Sequence, residues 1–540
     1  MSRLEIASPK RAKIVMEGLY KDLERRIESS PPGLCPVDMA RAFLELCHAQ
    51  TCGKCVPCRI GLGQLNNFIR EVLDGKATMK TLDIMEQTAL SIMESADCAI
   101  GYEAANMVYK GLIGYRDDYI EHIQNGRCTC TYNQPVPCVS LCPAHVDIPG
   151  YIALVGEGRY ADAIRLLRKD NPFPTTCGFI CEHPCEARCR RNMVDDSINI
   201  RGLKRVAADF AGEVDPPQCA PSTGKKIAIL GGGPGGLSAA YYLQLMGHQT
   251  TVYEMLPELG GMLRYGIPNY RLPKERLDDD IRAILKTGVQ VKNGLKIGQD
   301  ITIQELRQQY DVVLITIGAS TDKKLGLENE DADGIISAVQ FLRNVGKNQI
   351  IDLTGKEVVV IGGGNVSMDA VRTAKRLGAK KVSIVYRRRV ADMTALPGEI
   401  EGAVAEGIEL QTLKAPASID VDENHHVKGI YVTPQMVSSI RDGRASIKPT
   451  GEEDIYIPCD VLIVAIGQNI ETHHFEQAGI PVERGKIVTK STGAFENLPG
   501  VFAGGDCASG PASVIKAIAA AKVVAANIDE YLGYHHEISC

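Results

Sequence analysis

The chain has 540 residues, of which 44% are hydrophobic and 23% are charged, and its formal net charge is −6. This is the composition of a globular protein, and the small acidic charge gives no reason to expect nucleic acid or an anionic membrane surface as a partner. One hydrophobic core does not serve a chain of this length, so we expect about three to four domains.

The first residues do not predict a secretory signal peptide. Residues 1–26 are charged throughout and lack the apolar segment of a signal peptide. No run of about 18 or more apolar residues occurs, so we predict no membrane insertion and a cytoplasmic location. Of the 18 cysteines, fourteen lie between Cys35 and Cys189. Because disulfides are rare in a reducing cytosol, this clustering favours metal binding or redox chemistry.

The first cysteine motif, CGKCVPC, is followed by two amphipathic helix patterns, over residues 65–72 and 82–93, and then by Cys98. A helical hairpin would bring this distant cysteine back to the first three and complete the four thiolates of a [4Fe–4S] cluster. A zinc ribbon needs a second close pair, and a disulfide needs an oxidising compartment. The predicted cluster ligands are Cys52, Cys55, Cys58 and Cys98.

Residues 35–128 resemble a known electron-relay domain. The segments CGKCVPCRIG and SADCAIGYEAANMV are similar to the helical cluster domain at the end of the NADH-binding, FMN-containing subunit of respiratory complex I. Bidirectional hydrogenases and formate dehydrogenases contain the same domain. The FMN- and NADH-binding part that normally precedes it does not occur here, so the resemblance implies that only the relay is present.

A second group of cysteines follows between residues 128 and 189. Cys142-Pro143 ends its first half as a ferredoxin-type run does. The spacing leaves open whether Cys128 or Cys130 is a ligand, and zinc is an alternative for some of these thiols. The candidate metal ligands are Cys128, Cys130, Cys138, Cys142, Cys177, Cys181, Cys185 and Cys189.

From Lys225 the chain changes to a nucleotide-binding pattern. A short apolar strand runs into Gly231-x-Gly233-x-x-Gly236, which opens an Ala-rich helix. The glycines permit the tight turn, the approach of a pyrophosphate to the backbone and close packing of helix on strand. A second strand ends in Glu254, where an acid accepts a ribose hydroxyl. This site is predicted to take a nucleotide with a free ribose.

The pattern recurs further along the chain with one change. Gly362-x-Gly364 follows another apolar strand, with Ser367 at the position of the third glycine. The next strand ends in YRRR instead of an acid. Arg387 and Arg388 offer forked donors that suit a 2′-phosphate, which predicts NADP(H) at this second site. The alternative is that the arginines are a solvated surface run.

A third repeat predicts how the domains are threaded. DVVLITIGA (311–319) and DVLIVAIGQ (460–468) are nearly identical, one before and one after the second nucleotide unit. The predicted fold is α/β, with two nested Rossmann-like domains for FAD and NADP preceded by two mainly α-helical iron–sulfur domains. The predicted domains are residues 1–127 (first cluster), 128–222 (double cluster), 223–338 with 458–540 (FAD) and 339–457 (NADP(H)).

This arrangement resembles the flavoproteins with two dinucleotide-binding domains. The segments GGMLRYGIPNYRLPKE and YRRRVADMTALPGEIEGAVAEGI narrow the resemblance to the glutamate synthase small subunit and its relatives. It implies FAD at the first site, contacts of Asp506 with the flavin's ribityl–phosphate chain, and two [4Fe–4S] clusters in residues 128–189, hence three in all. The remaining candidate cofactor-binding residues are Pro234, Gly261, Gly505 and Asn365.

The predicted activity is electron transfer between NADP(H) and iron–sulfur clusters through FAD. No Cys-x-x-Cys follows Gly224, so a thioredoxin-reductase-like dithiol is excluded. Hydride transfer between stacked rings needs no catalytic acid or base, and none is assigned. The expected partner is an FMN/iron–sulfur or hydrogenase-like subunit, with ferredoxin served indirectly, in a transhydrogenase or hydrogenase complex that works with or without electron bifurcation. The alternatives are a glutamate synthase small subunit and a non-catalytic relay scaffold.

Overall fold

The fold was examined in a computed structural model. It describes Ala12, residues 15–21, Leu23, 35–126, 136–193, 195–441 and 444–536. The chain divides into two compact units, the first formed by residues 1–145 and 183–200 and the second by 146–182 and 201–540. Among the described helices, none combines the length and the apolar character that crossing a lipid bilayer requires.

The first unit is helical in its described part. Its helices are Pro36–Ala49, Leu62–Leu73, Met79–Ser95, Ala99–Gly114, Arg116–Asn125, Pro137–Leu141 and Pro184–Ala187, with a π-helical turn at Pro57–Gly61 and a 3₁₀ turn at Arg190–Met193. The apolar faces predicted over 65–72 and 82–93 pack into its core, where Leu65 and Met85 have no exposed surface. Phe68 and Met93 lie at the core margin and are only partly buried.

The second unit begins with short helices and continues into two sheets. The helices are Ile148–Gly156, Tyr160–Asp170, Pro174–Ile180 and Ile200–Phe210. The Asp280 carboxylate, which is fully buried, accepts hydrogen bonds from the N–H groups of Thr175 (3.3 Å) and Thr176 (2.7 Å). Asp280 lies on the later helix Lys274–Leu285, so these bonds fix the helix Pro174–Ile180 to the first dinucleotide-binding domain.

The first sheet is parallel and five-stranded. Its strand order is Val501–Ala503, Val312–Ile315, Lys226–Leu230, Gln249–Glu254, Gln290–Asn293. The central strands are continuous apolar runs because helices cover both faces of such a sheet. The helices of this domain are Pro234–Leu245, Met262–Tyr265, Lys274–Leu285, Ile303–Gln309, His473–Gln477, Asp506–Ser509 and Val514–Tyr531.

The second sheet is also parallel and five-stranded. In the sequence, its strands fall between the strands Val312–Ile315 and Val501–Ala503 of the first sheet. Its order is Ile335–Ser337, Val461–Val464, Glu357–Ile361, Lys381–Tyr386, Glu409–Thr412. Its helices are Ala338–Gly346, Asn365–Arg376 and Pro397–Ala405. An antiparallel sheet is added to this domain by Lys414–Val421, Val427–Arg441, Arg444–Pro449 and Ile455–Pro458.

Some domain bounds differ from the prediction. Residues 128–222, predicted as one double-cluster domain, are divided between the two units. The segment 460–468 was assigned to the FAD domain, which was predicted to resume at residue 458. Its strand Val461–Val464 instead pairs with Glu357–Ile361 and Ile335–Ser337, so it completes the second sheet. The first sheet resumes only at Val501–Ala503. Each repeat forms a strand that is followed by a Gly turn. Because the two sequences are nearly identical, they do not predict which sheet each strand joins.

Candidate functional site

The first candidate site is a group of thiols in the first unit. Cys58 lies in the π-helical turn Pro57–Gly61, a distortion that is frequent at functional sites, and its side chain is 2% exposed. Burial, the largest cause, and the neighbouring thiols Cys55, Cys98 and Cys52 together raise the pKa of Cys58 to about 12. The structure therefore brings together the four cysteines predicted as ligands.

The backbone around these thiols is shaped to leave room for sulfur. A Cβ on Gly101 would lie 2.7 Å from Cys58 Sγ and 3.0 Å from Ala96 Cβ. Glycine at this position lets the helix Ala99–Gly114 approach the thiol group. Four soft sulfur donors in one place select zinc or an iron–sulfur cluster, so these residues fit the predicted [4Fe–4S] group.

The second cysteine group is divided between the two units. Cys138, Cys142, Cys185 and Cys189 belong to the first unit, and Cys177 and Cys181 belong to the second. Burial raises the pKa of Cys138, and the neighbouring thiols Cys189 and Cys142 add to this rise. The N–H of Ile198 donates to Cys189 Sγ at 3.4 Å, a bond that stabilises a thiolate. Cys128 and Cys130 lie outside the described residues.

Within the second unit, Cys177 and Cys181 form a buried pair one helical turn apart. Cys177 has no exposed surface, and Cys181 is 5% exposed. Burial raises the pKa of Cys177, and the charge of Cys181 adds to this effect. All cysteines of the described residues are free thiols, so no disulfide competes with metal binding there.

The first Gly-rich turn has the shape that a pyrophosphate requires. A Cβ on Gly236 would lie 1.9 Å from the carbonyl oxygen of Gly231, which itself has a φ of +111°. Gly233 caps the helix Pro234–Leu245, and a Cβ on Gly261 would lie 2.8 Å from its Cα. Phosphate oxygens therefore have access to backbone N–H groups at a helix N-terminus.

Glu254 supports this turn as well as facing the cleft beside it. Its two carboxylate oxygens accept the N–H groups of Gly232 (2.7 Å) and Leu256 (2.8 Å). Burial raises the pKa of Glu254, and the bonds from these N–H groups offset part of that rise. Each oxygen keeps a further lone pair, so the carboxylate can hold the turn and accept a ribose hydroxyl.

One cleft lies below the turn, and its lining includes the predicted residues Gly231, Gly233, Pro234, Gly261, Gly505 and Asp506. Asp506 Oδ1 is buried, and within the described part of the chain it finds no hydrogen-bond partner. Burial raises the pKa of Asp506. A buried acceptor aimed into a glycine-lined cleft fits the hydroxyl-rich chain of FAD.

Sequence reasoning missed three side chains in this cleft. Thr316 Oγ1 donates to the carbonyl oxygen of Leu230 at 3.0 Å and lies under the Gly-rich turn. The sequence could have predicted Thr316, because it lies in DVVLITIGA, which ends at the carboxyl edge of the sheet, where ligands bind. Tyr265 and Arg343 also line the cleft. Tyr265 lies in the segment GGMLRYGIPNYRLPKE, which was used only as a mark of resemblance, and no motif pointed to Arg343.

The second Gly-rich turn is built in the same way. A Cβ on Gly362 would lie 2.3 Å from the carbonyl oxygen of Ala465 and 2.5 Å from Ser367 Oγ, and Gly364 caps the helix Asn365–Arg376. Ser367 is fully buried, and among the described residues its hydroxyl has no partner. The turn therefore presents the same helix N-terminus to a pyrophosphate.

Asn365 is a brace for this turn. Its Oδ1 accepts the N–H of Leu396 at 3.0 Å, and its Nδ2 donates to Glu182 Oε1 at 3.1 Å. Glu182 directly follows Cys181 in the chain. The amide thus joins the second Gly-rich turn to the cysteine-bearing segment of the same unit.

The three arginines after the strand Lys381–Tyr386 have different surroundings. Arg387 is exposed, and its guanidinium has no ion-pair or hydrogen-bond partner among the described residues. Arg388 Nε donates to the carbonyl oxygen of Ala445 at 3.0 Å. Arg389 forms a two-point ion pair with Asp392. Arg387 is therefore free to meet a phosphate, and Arg388 keeps further donors for one.

The motif YRLPKE connects the two dinucleotide-binding domains. Arg271 donates to both carboxylate oxygens of Asp369 (2.9 and 2.7 Å) and pairs with Glu399 at 3.1 Å. The Arg376 guanidinium lies 3.9 Å from the ring centroid of Tyr270. The first domain supplies Tyr270 and Arg271, and the second supplies the others. Sequence analysis used this motif only as a mark of resemblance and missed its role.

Comparison with known proteins identifies the family. Residues 225–521 match the pyridine nucleotide-disulphide oxidoreductase family. The chain belongs to this family. Residues 38–122 match the iron–sulfur binding region of NADH-ubiquinone oxidoreductase F, and residues 114–215 match dihydropyrimidine dehydrogenase domain II, 4Fe-4S cluster. The predicted resemblances to the complex I subunit and to the glutamate synthase group are confirmed.

Relatives from this family extend over most of the chain. The NADPH-Fe(3+) oxidoreductase subunit beta of Geobacter sulfurreducens is 34% identical over 93% of this chain and 79% of its own. The NADP(+)-dependent formate dehydrogenase subunit beta of Moorella thermoacetica is 32% identical over 91% and 79%. The glutamate synthase [NADPH] small chain of Escherichia coli is 34% identical over 73% and 88%.

A solved structure agrees on the fold of the dinucleotide-binding part of this pyridine nucleotide oxidoreductase. FprA from Mycobacterium tuberculosis, determined in complex with NADPH, aligns with a TM-score of 0.50 at 21% identity, over 58% of this chain and 85% of FprA. The predicted fold class is confirmed. The chain is an NADP(H)-dependent oxidoreductase that carries FAD and [4Fe–4S] clusters. The roles of individual residues and the number of clusters stay predictions.

Proposed function

We propose that this chain is the subunit through which a multisubunit complex exchanges electrons with NADP(H). Hydride is exchanged at the two dinucleotide-binding domains, and single electrons pass through the clusters to or from a partner subunit. One observation carries the proposal. The same chain contains two Gly-rich turns that suit a pyrophosphate and a group of four thiols, of which Cys52 is exposed. The two relatives that match more than 90% of this chain are both named as beta subunits.

The side chains divide this work by position. FAD bound in the first cleft would supply the step from two-electron to one-electron transfer, because flavins accept a hydride and release electrons singly. Gly236, Glu254 and Asp506 hold and orient its polar half in this proposal. Arg387 and Arg388 hold the adenosine end of NADP(H), and the four thiols of the first unit hold the cluster nearest the partner.

We propose an FMN/iron–sulfur or hydrogenase-like subunit as the partner, in a complex that couples NADP(H) to NAD(H) and ferredoxin by electron bifurcation. The support is the match of residues 38–122 to the iron–sulfur region of a complex I subunit, together with the exposure of Cys52 in the thiol group. The rival partner is a glutamate-synthesising subunit. The glutamate synthase small chain matches only 73% of this chain, whereas the two beta subunits match more than 90% of it.

The decisive experiment is anaerobic purification of the chain with its attached partners, followed by iron, sulfide, zinc and flavin analysis and titration with NADPH. We expect NADPH to bleach the flavin and then reduce the clusters, with NAD⁺ and ferredoxin accepting electrons from the complex. Co-purification of a glutamine-dependent synthase subunit alone would refute the proposed partner. A flavin that NADPH fails to bleach would leave only the relay-scaffold alternative.

Replacing Arg387 with alanine is expected to raise KM for NADPH about 10–100-fold and to leave kcat and the KM for NADH nearly unchanged. A charge-assisted hydrogen bond to a phosphate contributes about 1.5–3 kcal/mol, and NADH has no 2′-phosphate. Steady-state kinetics with both coenzymes measure the effect. Lys380→Ala is the control, because this exposed cation lies at the other end of the strand Lys381–Tyr386. An equal rise in both KM values would contradict the role of Arg387.

A further inference from the structure

A buried carboxylate lies at the centre of the segment that follows the second dinucleotide turn. We call residues 387–395 the arginine loop. The Asp392 side chain is only 1% exposed. It accepts hydrogen bonds from the backbone N–H (3.2 Å), Nε (2.8 Å) and Nη2 (3.0 Å) of Arg389 and from the N–H of Ala445 (3.0 Å). Among the described residues, every hydrogen bond to this carboxylate comes from the loop or from the strand beside it.

The arginine loop is also fixed at its two ends. Tyr386 Oη donates to the carbonyl oxygen of Asp392 at 2.7 Å. The N–H groups of Thr394 and Ala395 both donate to the carbonyl oxygen of Gly363 (3.0 and 3.1 Å) in the second Gly-rich turn. The loop therefore spans the distance from the turn that meets the pyrophosphate to the arginines that meet the ribose.

The third attachment is to the antiparallel sheet. Ala445, on the strand Arg444–Pro449, accepts from Arg388 Nε at 3.0 Å and donates to Asp392 Oδ1 at 3.0 Å. One residue of this strand thus contacts both a predicted phosphate ligand, through its C=O, and the buried carboxylate, through its N–H. The ion pair with Arg389 outweighs burial and lowers the pKa of Asp392 to about 2, so the carboxylate is ionised at neutral pH.

We propose that Asp392 is a positioning residue that sets the preference of this site for a 2′-phosphorylated adenosine. It neutralises Arg389 and holds it in the loop, so that Arg387 and Arg388 alone face the ligand. Through Ala445 it also fixes the strand to which Arg388 is bonded. This inference rests on the proposed NADP(H) site, and Asp392 acts on the ligand only through the arginines.

The test measures ligand binding and does not depend on turnover. Isothermal titration of the full-length, FAD-loaded protein compares adenosine 2′,5′-bisphosphate with adenosine 5′-monophosphate. Asp392→Asn keeps the shape of the side chain and removes its charge, and we expect at least about tenfold weaker binding of the bisphosphate with unchanged binding of the monophosphate. Arg389→Gln breaks the same ion pair from its other side and should give the same selective loss, even where Asp392→Asn fails to fold.

A matched control is available in the same domain. Glu406 pairs with Arg372 (2.9 Å) and Arg376 and has no hydrogen bond to the arginine loop among the described residues. Glu406→Gln should bind both ligands as the wild type does. Equal loss of both ligands in Asp392→Asn and Arg389→Gln, or no loss in either, would overturn the inference. A wild-type protein that fails to prefer the bisphosphate would instead refute the NADP(H) site itself.

Discussion

Replacing Cys98 with serine is expected to stop electron release from the chain while NADPH still bleaches its flavin. Cys98 immediately precedes the helix Ala99–Gly114 and is one of the thiols grouped around Cys58. Losing one of four thiolates removes a direct cluster ligand, and even a change behind a ligand typically costs about 10–100-fold in metal affinity. We therefore expect more than about 100-fold slower reduction of the partner subunit.

Iron and sulfide analysis and anaerobic rapid mixing with NADPH check this expectation. The variant should lose the iron and sulfide of one cluster and keep its flavin. Cys219→Ser is the control, because Cys219 Sγ donates to the carbonyl oxygen of Thr287, its one hydrogen-bond partner within the described residues, and a hydroxyl can replace it. Full iron content together with wild-type transfer to the partner would show that Cys98 is not a ligand.

Replacing Gly236 with alanine is expected to yield a protein without FAD. The new methyl group would lie 1.9 Å from the carbonyl oxygen of Gly231 and 2.8 Å from Thr316 Oγ1. To relieve this clash, the backbone of the turn or of the strand behind it must shift. Such a shift would move the N-terminus of the helix Pro234–Leu245 away from the pyrophosphate. Overpacking of this kind typically costs about 1–3 kcal/mol, and here the first contact is with backbone.

Flavin content after purification and the thermal midpoint measure this effect. Gly156→Ala is the control, because a Cβ at that exposed helical position meets no atom within 4 Å. This control should keep its full flavin content and the wild-type midpoint. A Gly236→Ala protein that purifies yellow, with wild-type flavin content, would place the cofactor elsewhere.

Much of the fold could be predicted from the sequence because its signals are local. Apolar runs such as 227–230 identify buried parallel strands, and the glycines after them are required by close approaches within the same turn. The four thiols of the first unit were also predicted together, because the periodicity of two helices was enough to bring Cys98 back. Each of these inferences depends on a spacing within a short stretch of chain.

The remaining features depend on contacts between distant residues. The strand Val461–Val464 has the same pattern as Val312–Ile315, and only pairing decides which sheet each one joins. Arg271 and Asp369 are 98 residues apart, and Asp392 meets Ala445 after 53 residues. Periodicity carries no information about such pairs. The sequence also gave no reason to distinguish the three arginines of YRRR from one another. In the structure, each of them has different contacts.

The ion pairs of Arg271 with Asp369 and Glu399 connect the two dinucleotide-binding domains. They limit which domains can be exchanged between this protein and its relatives. Burying a cation is costly unless its counter-ions come with it, and here the partners belong to the other domain. A chimera that borrows its coenzyme-binding half from a relative must therefore import both acids or give up the arginine. Exchanging one half without the other would leave Arg271 buried without an opposite charge, or the two acids without Arg271.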